Sequence, residues 1–132
     1  MTVTSDMLRT TPAKLGYDAG DLAACIAACF DCAQACTACA DACLAEDMVA
    51  DLRRCITTDL NCADICAAAG RVLSRQTAYD ATLSRAALQA CRDACRVCAE
   101  ECERHASVHD HCRVCAETCR RCEQACDTLL SA

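Results

Sequence analysis

Cys25, Cys29, Cys32, Cys36, Cys39 and Cys43 follow one another at alternating steps of four and three residues, and Cys112, Cys115, Cys119, Cys122 and Cys126 keep the same rhythm. Such a step returns a side chain to the same face of an α-helix, so the sulfurs form stripes where a helical bundle would ordinarily carry leucine. Two further runs complete the set. Cys55, Asp59, Cys62 and Cys66 hold the rhythm with an acid in place of one thiol, and Cys91, Cys95, Cys98 and Cys102 are followed by His105 in the next stripe position. Thiolates are soft ligands. An interior lined with them is a container for a soft metal ion.

Simpler explanations fit the pattern less well. Cysteine is a small, buryable hydrophobe, but a few such residues would serve a tight core, not 18 in a chain of 132. Disulfide scaffolds are loop-rich and irregularly spaced, and steps of three and four on one helix aim poorly for a relaxed disulfide. The five CxxC pairs, Cys29/Cys32, Cys36/Cys39, Cys95/Cys98, Cys112/Cys115 and Cys119/Cys122, would alone suggest zinc. Zinc takes four tetrahedral ligands in closed, separate sites, and iron–sulfur clusters also use isolated ligand sets; these pairs lie in uninterrupted ladders. Copper(I) is strongly sulfur-seeking, and a row of sulfurs can hold it between neighbouring thiolates or across helices. Charge favours the same ion. Each copper(I) replaces a thiol proton, so an interior filled at about one ion per cysteine stays close to neutral. Zinc held by four thiolates leaves a net negative charge on every buried site, which is costly.

The elements that must position these sulfurs are helices. Three glycines, one proline (Pro12) and no tryptophan in the whole chain predict an all-α protein. The length fits one core. Residues 1–17, with Pro12 and Gly16 as breakers, read as an N-terminal tail or short helix. Residues 18–132 read as a four-helix bundle domain. Asp18 is the expected N-cap of a first long helix to about Glu46, and Asp47 of a second to about Arg75. A third runs from about Tyr79 to about Ala106. Ser107, with Asp110 three residues on, reads as a capping box for a fourth to about Leu130. Short joints favour an antiparallel up-down-up-down bundle. Small residues beside the first stripe (Ile26, Ala28, Ala33, Ala35, Ala40, Ala42) let the axes approach closely. Arg96/Glu100 and Glu117/Arg121 are expected to pair on the outer faces.

A net charge of −6 with mixed signs fits a chain that avoids nucleic acid. No apolar run reads as long enough to span a bilayer, and the N-terminus lacks the basic start and apolar stretch of a secretory signal. The expected location is the cytoplasm, where thiols stay reduced.

With these runs in view, the chain strongly resembles the cytosolic branch of the bacterial copper storage proteins. The likeness covers about residues 18–130, and the four cysteine-lined helices that carry it are a specific motif. The resemblance implies a four-helix bundle holding many copper(I) ions along its core, and assembly as a homotetramer. It implies sites built from Cys25/Cys29, Cys32/Cys36, Cys62/Cys66, Cys91/Cys95 and Cys98/Cys102. It also implies histidines and an acid near an entrance, matching His105, His109, His111 and Asp59. The exported branch carries a twin-arginine signal, which is absent from this sequence, and methionine-rich mouths, for which only Met48 is placed here.

The expected function is therefore copper(I) storage and detoxification without catalysis, with a copper chaperone or a small-molecule copper acceptor as exchange partner. The alternative is a zinc/cadmium thiolate buffer of metallothionein type. A ferritin-like oxidase would need inward glutamates and Glu-x-x-His motifs, and no histidine here has Glu three residues before it. A thiol-redox catalyst would need one exposed, low-pKa thiol. In an antiparallel bundle one pole gathers Met48, His105, His109 and His111, with Asp59 about a turn further in. The opposite pole gathers Leu22, Leu73, Leu88 and Leu129. Copper is expected to pass at the His/Met pole, where exchangeable ligands hand it to tighter thiolates, while the leucines plug the other end.

Overall fold

The computed structural model describes residues 2–132, and among them every regular element is helical. A short helix, α1 (Val3–Thr10), opens the chain. Its start is a reciprocal cap: Ser5 N donates to Thr2 Oγ1 at 3.1 Å and Thr2 N donates to Ser5 Oγ at 3.0 Å, which satisfies two otherwise orphan donors. Pro12 and Gly16 then keep the chain out of helix. A Cβ at Gly16 would stand 2.5 Å from the Tyr79 ring, so this close approach requires glycine. Buried Gln76 ties the segment down, accepting from Gly16 N at 2.9 Å and donating to Leu73 O at 2.7 Å.

The four long helices are α2 (Ala19–Leu44), α3 (Arg53–Ser74), α4 (Ala81–Glu103) and α5 (Asp110–Leu130). Each packs on its neighbours in sequence, and α5 closes the ring against α2, as an up-down-up-down bundle requires. Asp18 caps α2 as expected, its carboxylate accepting from Asp21 N at 3.0 Å. Asp47 does not cap α3. A 3-10 turn over Val49–Leu52 intervenes and delivers Leu52 to the core, fully buried. The Ser107 capping box is likewise absent: α5 begins after His109, whose side chain makes no cap bond. Asp80 is the cap of α4, accepting from Leu83 N at 3.0 Å. Gly70 lies inside α3. A Cβ there would meet the Phe30 ring at 2.9 Å, so glycine lets α2 and α3 close on each other despite its helix cost of about 1 kcal/mol.

Along α2, Ile26 and Ala40 are buried and Ala28, Ala33, Ala35 and Ala42 half-buried, the close packing their size allows. By length and composition α2 is apolar enough to cross a membrane, against the expectation from sequence. Alanine and cysteine both count as apolar, and the cysteine face of α2 is buried against the other helices. The outer faces carry ion pairs in a different register from the one expected. Arg96 pairs with Asp93 at 3.6 Å and Glu117 with Arg113 at 3.2 Å, while Arg121 donates to Thr118 Oγ1 at 3.3 Å. Exposed pairs of this kind contribute at most about 1 kcal/mol. At one end of the bundle Leu22, Leu73, Leu88 and Leu129 are all buried, continuing the four stripes as a solid hydrocarbon layer.

Candidate metal centre

Every one of the cysteines is buried and free. Because each stripe faces the bundle axis, the sulfurs meet across helices as well as along them. Next to the leucine layer, Cys29 of α2 stands 3.8 Å from Cys91 of α4, and Cys91 stands 3.8 Å from Cys122 of α5. One level on, Cys66 of α3 lies 3.6 Å from Cys91 and 3.5 Å from Cys95. Cys119 of α5 is 3.6 Å from both Cys32 and Cys36. Further along, Cys36 lies 3.7 Å from Cys115, Cys55 lies 3.8 Å from Cys102, and Cys39 lies 3.9 Å from Cys112. The CxxxC pairs Cys32/Cys36, Cys62/Cys66 and Cys98/Cys102 are at 3.8, 3.7 and 4.0 Å. The tightest contacts are thus interhelical, and several sulfurs belong to more than one candidate ligand group. Cys32, for example, sits with Cys66, Cys95 and Cys122 and also with Cys36, Cys62 and Cys119. Shared corners make the thiols a continuous column in place of separate tetrahedral sites.

Removed from water, a thiol holds its proton more tightly; burial pushes Cys43 up to about 12. Asp59 is the one carboxyl within the column and is fully buried. The thiols of Cys98, Cys115 and Cys102 approach its Oδ1 at 3.0, 3.3 and 3.5 Å. Desolvation, reinforced by the sulfurs of Cys115 and Cys98, pushes its pKa up to about 11, so Asp59 is a neutral acid at neutral pH.

The end opposite the leucine layer is polar. His111 Nδ1 lies 3.4 Å from Cys39 Sγ and 3.6 Å from Cys112 Sγ, and His111 joins Cys39, Cys43 and Cys112 in one ligand-sized cluster. His109 is buried and stacks on His111, with ring centres 5.3 Å apart and planes 17° from parallel. His105 turns to Glu101, with Nε2 2.9 Å from Oε2. Met48 is half exposed at the start of the 3-10 turn. Two carboxylates here escaped the sequence reading. Glu46 Oε2 stands 3.0 Å from His109 Nδ1 and 2.8 Å from His111 Nε2, and the hydrogen bond from His111 holds its carboxyl below the usual range. Glu101, buried, also meets Arg54 at 3.2 Å and Arg104 at 3.9 Å. Glu101 precedes His105 by four residues, a spacing that places both on one helix face. Glu46 lies 65 residues from His111, and nothing local in the sequence signals that contact.

A family model described as copper storage protein matches residues 18–131. The chain is similar to a solved structure of a copper storage protein, Ccsp, from Streptomyces lividans, loaded with 10 copper equivalents. The two are 60% identical with a TM-score of 0.95, over 98% of each chain. It is also similar to a structure of a cytosolic copper storage protein from Streptomyces lividans with five coppers: 61% identity, TM-score 0.85, covering 86% of this chain and 94% of that one. A cysteine-rich protein of Bacillus subtilis strain 168, YhjQ, described as uncharacterized, is 42% identical over 106 residues, 80% of this chain and 93% of that protein.

Proposed function

The chain belongs to the copper storage protein family, and on that premise we propose that its thiol column is the store itself, binding copper(I) for storage and detoxification. What carries this reading is the column: buried, free sulfurs, touching across all four long helices and sharing corners. A monovalent soft ion can enter such a column one proton at a time and leave each step neutral. Zinc would have to divide it into charged tetrathiolate sites in a low-dielectric interior. Offered equal copper(I) and zinc under reducing conditions, the protein is expected to emerge with copper in large excess. Predominantly zinc by elemental analysis would sink the proposal.

All 18 cysteines are the proposed ligands, carried by a storage domain of residues 18–132, with residues 1–17 outside it. No catalytic role is proposed. The chain acts in the cytosol, as the Streptomyces relative described as cytosolic does, assembles as a tetramer, and exchanges copper with a chaperone or a small-molecule acceptor. Copper enters at the pole of Met48, His105, His109 and His111 and passes Asp59. Support comes from His111 beside Cys39 and Cys112, and from the buried leucines at the far end. Replacing His105, His109 and Asp59 by Ala is expected to change loading and removal rates about tenfold or more while leaving capacity nearly intact. If those rates held steady, and Leu22→Ala with Leu88→Ala sped exchange instead, the polarity would be reversed.

A further inference from the structure

Glu46 sits on the turn that closes α2, its backbone N donating to Cys43 O at 3.2 Å. One of its oxygens, Oε2, is hydrogen-bonded to His111 Nε2 at 2.8 Å and lies 3.0 Å from His109 Nδ1 in a close contact without hydrogen-bond alignment. An ionised carboxylate only accepts, and a neutral imidazole carries one N–H and one lone pair. The His111 nitrogen facing Glu46 must therefore hold the hydrogen. His111 is then the Nε2–H tautomer, with the His109 ring stacked on it. The free nitrogen of His111 is Nδ1, which faces Cys39 and Cys112. His109 Nε2 is buried with no hydrogen-bond partner among the described residues. A buried polar nitrogen without a partner is rare and costly. It is accounted for if a ligand visits the site.

We propose that Glu46 is a positioning residue that locks His111 in its Nε2–H tautomer, so that His111 Nδ1 stands ready to ligate a copper(I) ion in transit to the Cys39/Cys43/Cys112 thiols, with the unpartnered Nε2 of the stacked His109 ring as a second candidate ligand. This deepens the entrance reading above and rests on it. Glu46 itself does not touch the metal. It acts by removing the alternative tautomer, in which His111 would present N–H, not a lone pair, to the sulfurs. Outer partners of metal-binding histidines commonly act in this way.

The test begins without metal. In reduced protein with ¹⁵N-labelled histidine, long-range ¹H–¹⁵N spectra should report Nε2–H for His111. Glu46→Ala should turn it into a tautomer mixture. It should also slow loading from a copper(I)–bicinchoninate complex by about 10–100-fold, the usual effect of losing such a partner, at unchanged final capacity. Glu46→Gln, whose amide oxygen can accept the His111 N–H, should restore the tautomer and most of the rate, which mere loss of local packing would not explain. A wild-type His111 with its hydrogen on Nδ1 or on both nitrogens, or Glu46→Ala with unaltered spectra or unaltered rate, would each overturn the proposal. The tautomer measurement is independent of storage, so a wild type that takes up no copper would defeat the storage reading alone.

Discussion

Titrated anaerobically with copper(I), the reduced chain is expected to saturate near one ion per cysteine, about 18 per chain. The prediction follows from charge and connectivity together. Each thiol is buried, so an uncompensated thiolate is unfavourable. One copper(I) per displaced proton keeps the interior neutral at every stage of filling. Because sulfurs such as Cys32 and Cys36 belong to two ligand groups each, neighbouring ions share ligands and the column fills without gaps. Loss of ligands should then reduce capacity in proportion. Cys36→Ala with Cys119→Ala, which removes a contacting pair at 3.6 Å, should lower saturation by about two ions and leave the remaining column competent. Saturation near a quarter of the cysteine count would instead indicate separate tetrathiolate sites of the zinc type. A collapse of all binding in the double variant would mean that the column works as one indivisible cluster.

Much of this column could be read from the stripes, because period and residue type there depend only on helix geometry. Leu22, Leu73, Leu88 and Leu129 continue the same stripes, and their burial as an end layer follows from that periodicity. The joints were harder to read. Asp47 and Ser107 have the right chemistry for caps, but local preference there is overruled by packing. Burying Leu52 draws residues 49–52 into a 3-10 turn. On the α4–α5 joint, His109 N donates to His105 O at 2.9 Å, and this turn displaces the start of α5 beyond Ser107. The polar end shows the same division. His105, His109 and His111 were visible as candidates, and Glu101 could have been found from its four-residue offset to His105. Glu46 could not, because only the crossing of the α2 end with the α5 start brings it to the imidazoles. Outer-face ion pairs were misassigned for a plainer reason. A long arginine can reach a carboxylate three or four residues away on either side, and the differences among such exposed pairs are only tenths of a kcal/mol.

Asp59→Asn is expected to stabilise the metal-free protein at pH 7 and to remove most of the pH dependence of its stability between pH 4 and 7. In the folded chain Asp59 is buried among thiols and its pKa rises from the ordinary value of 3.8 to about 11. Below pH 3.8 the carboxyl is protonated in both folded and unfolded states, and its burial carries no ionisation penalty. As the pH rises, the unfolded chain releases this proton and the folded chain does not, so stability falls with pH throughout the window between the two values. Each pH unit within it is worth about 1.4 kcal/mol, hence roughly 4 kcal/mol between pH 4 and 7. Asparagine has a similar shape and no proton to lose in either state. Urea unfolding of reduced, metal-free wild type and variant should therefore give similar stabilities at pH 4 and a gap that widens steadily toward pH 7. Parallel curves would show that the carboxylate ionises inside the bundle. A neutral Asp59 also explains how an acid can sit within 3.5 Å of three thiols, Cys98, Cys115 and Cys102, without repelling them. It presents no fixed negative charge to trap the first ion that passes, so the thiolates deeper in the column, not Asp59, set where copper comes to rest.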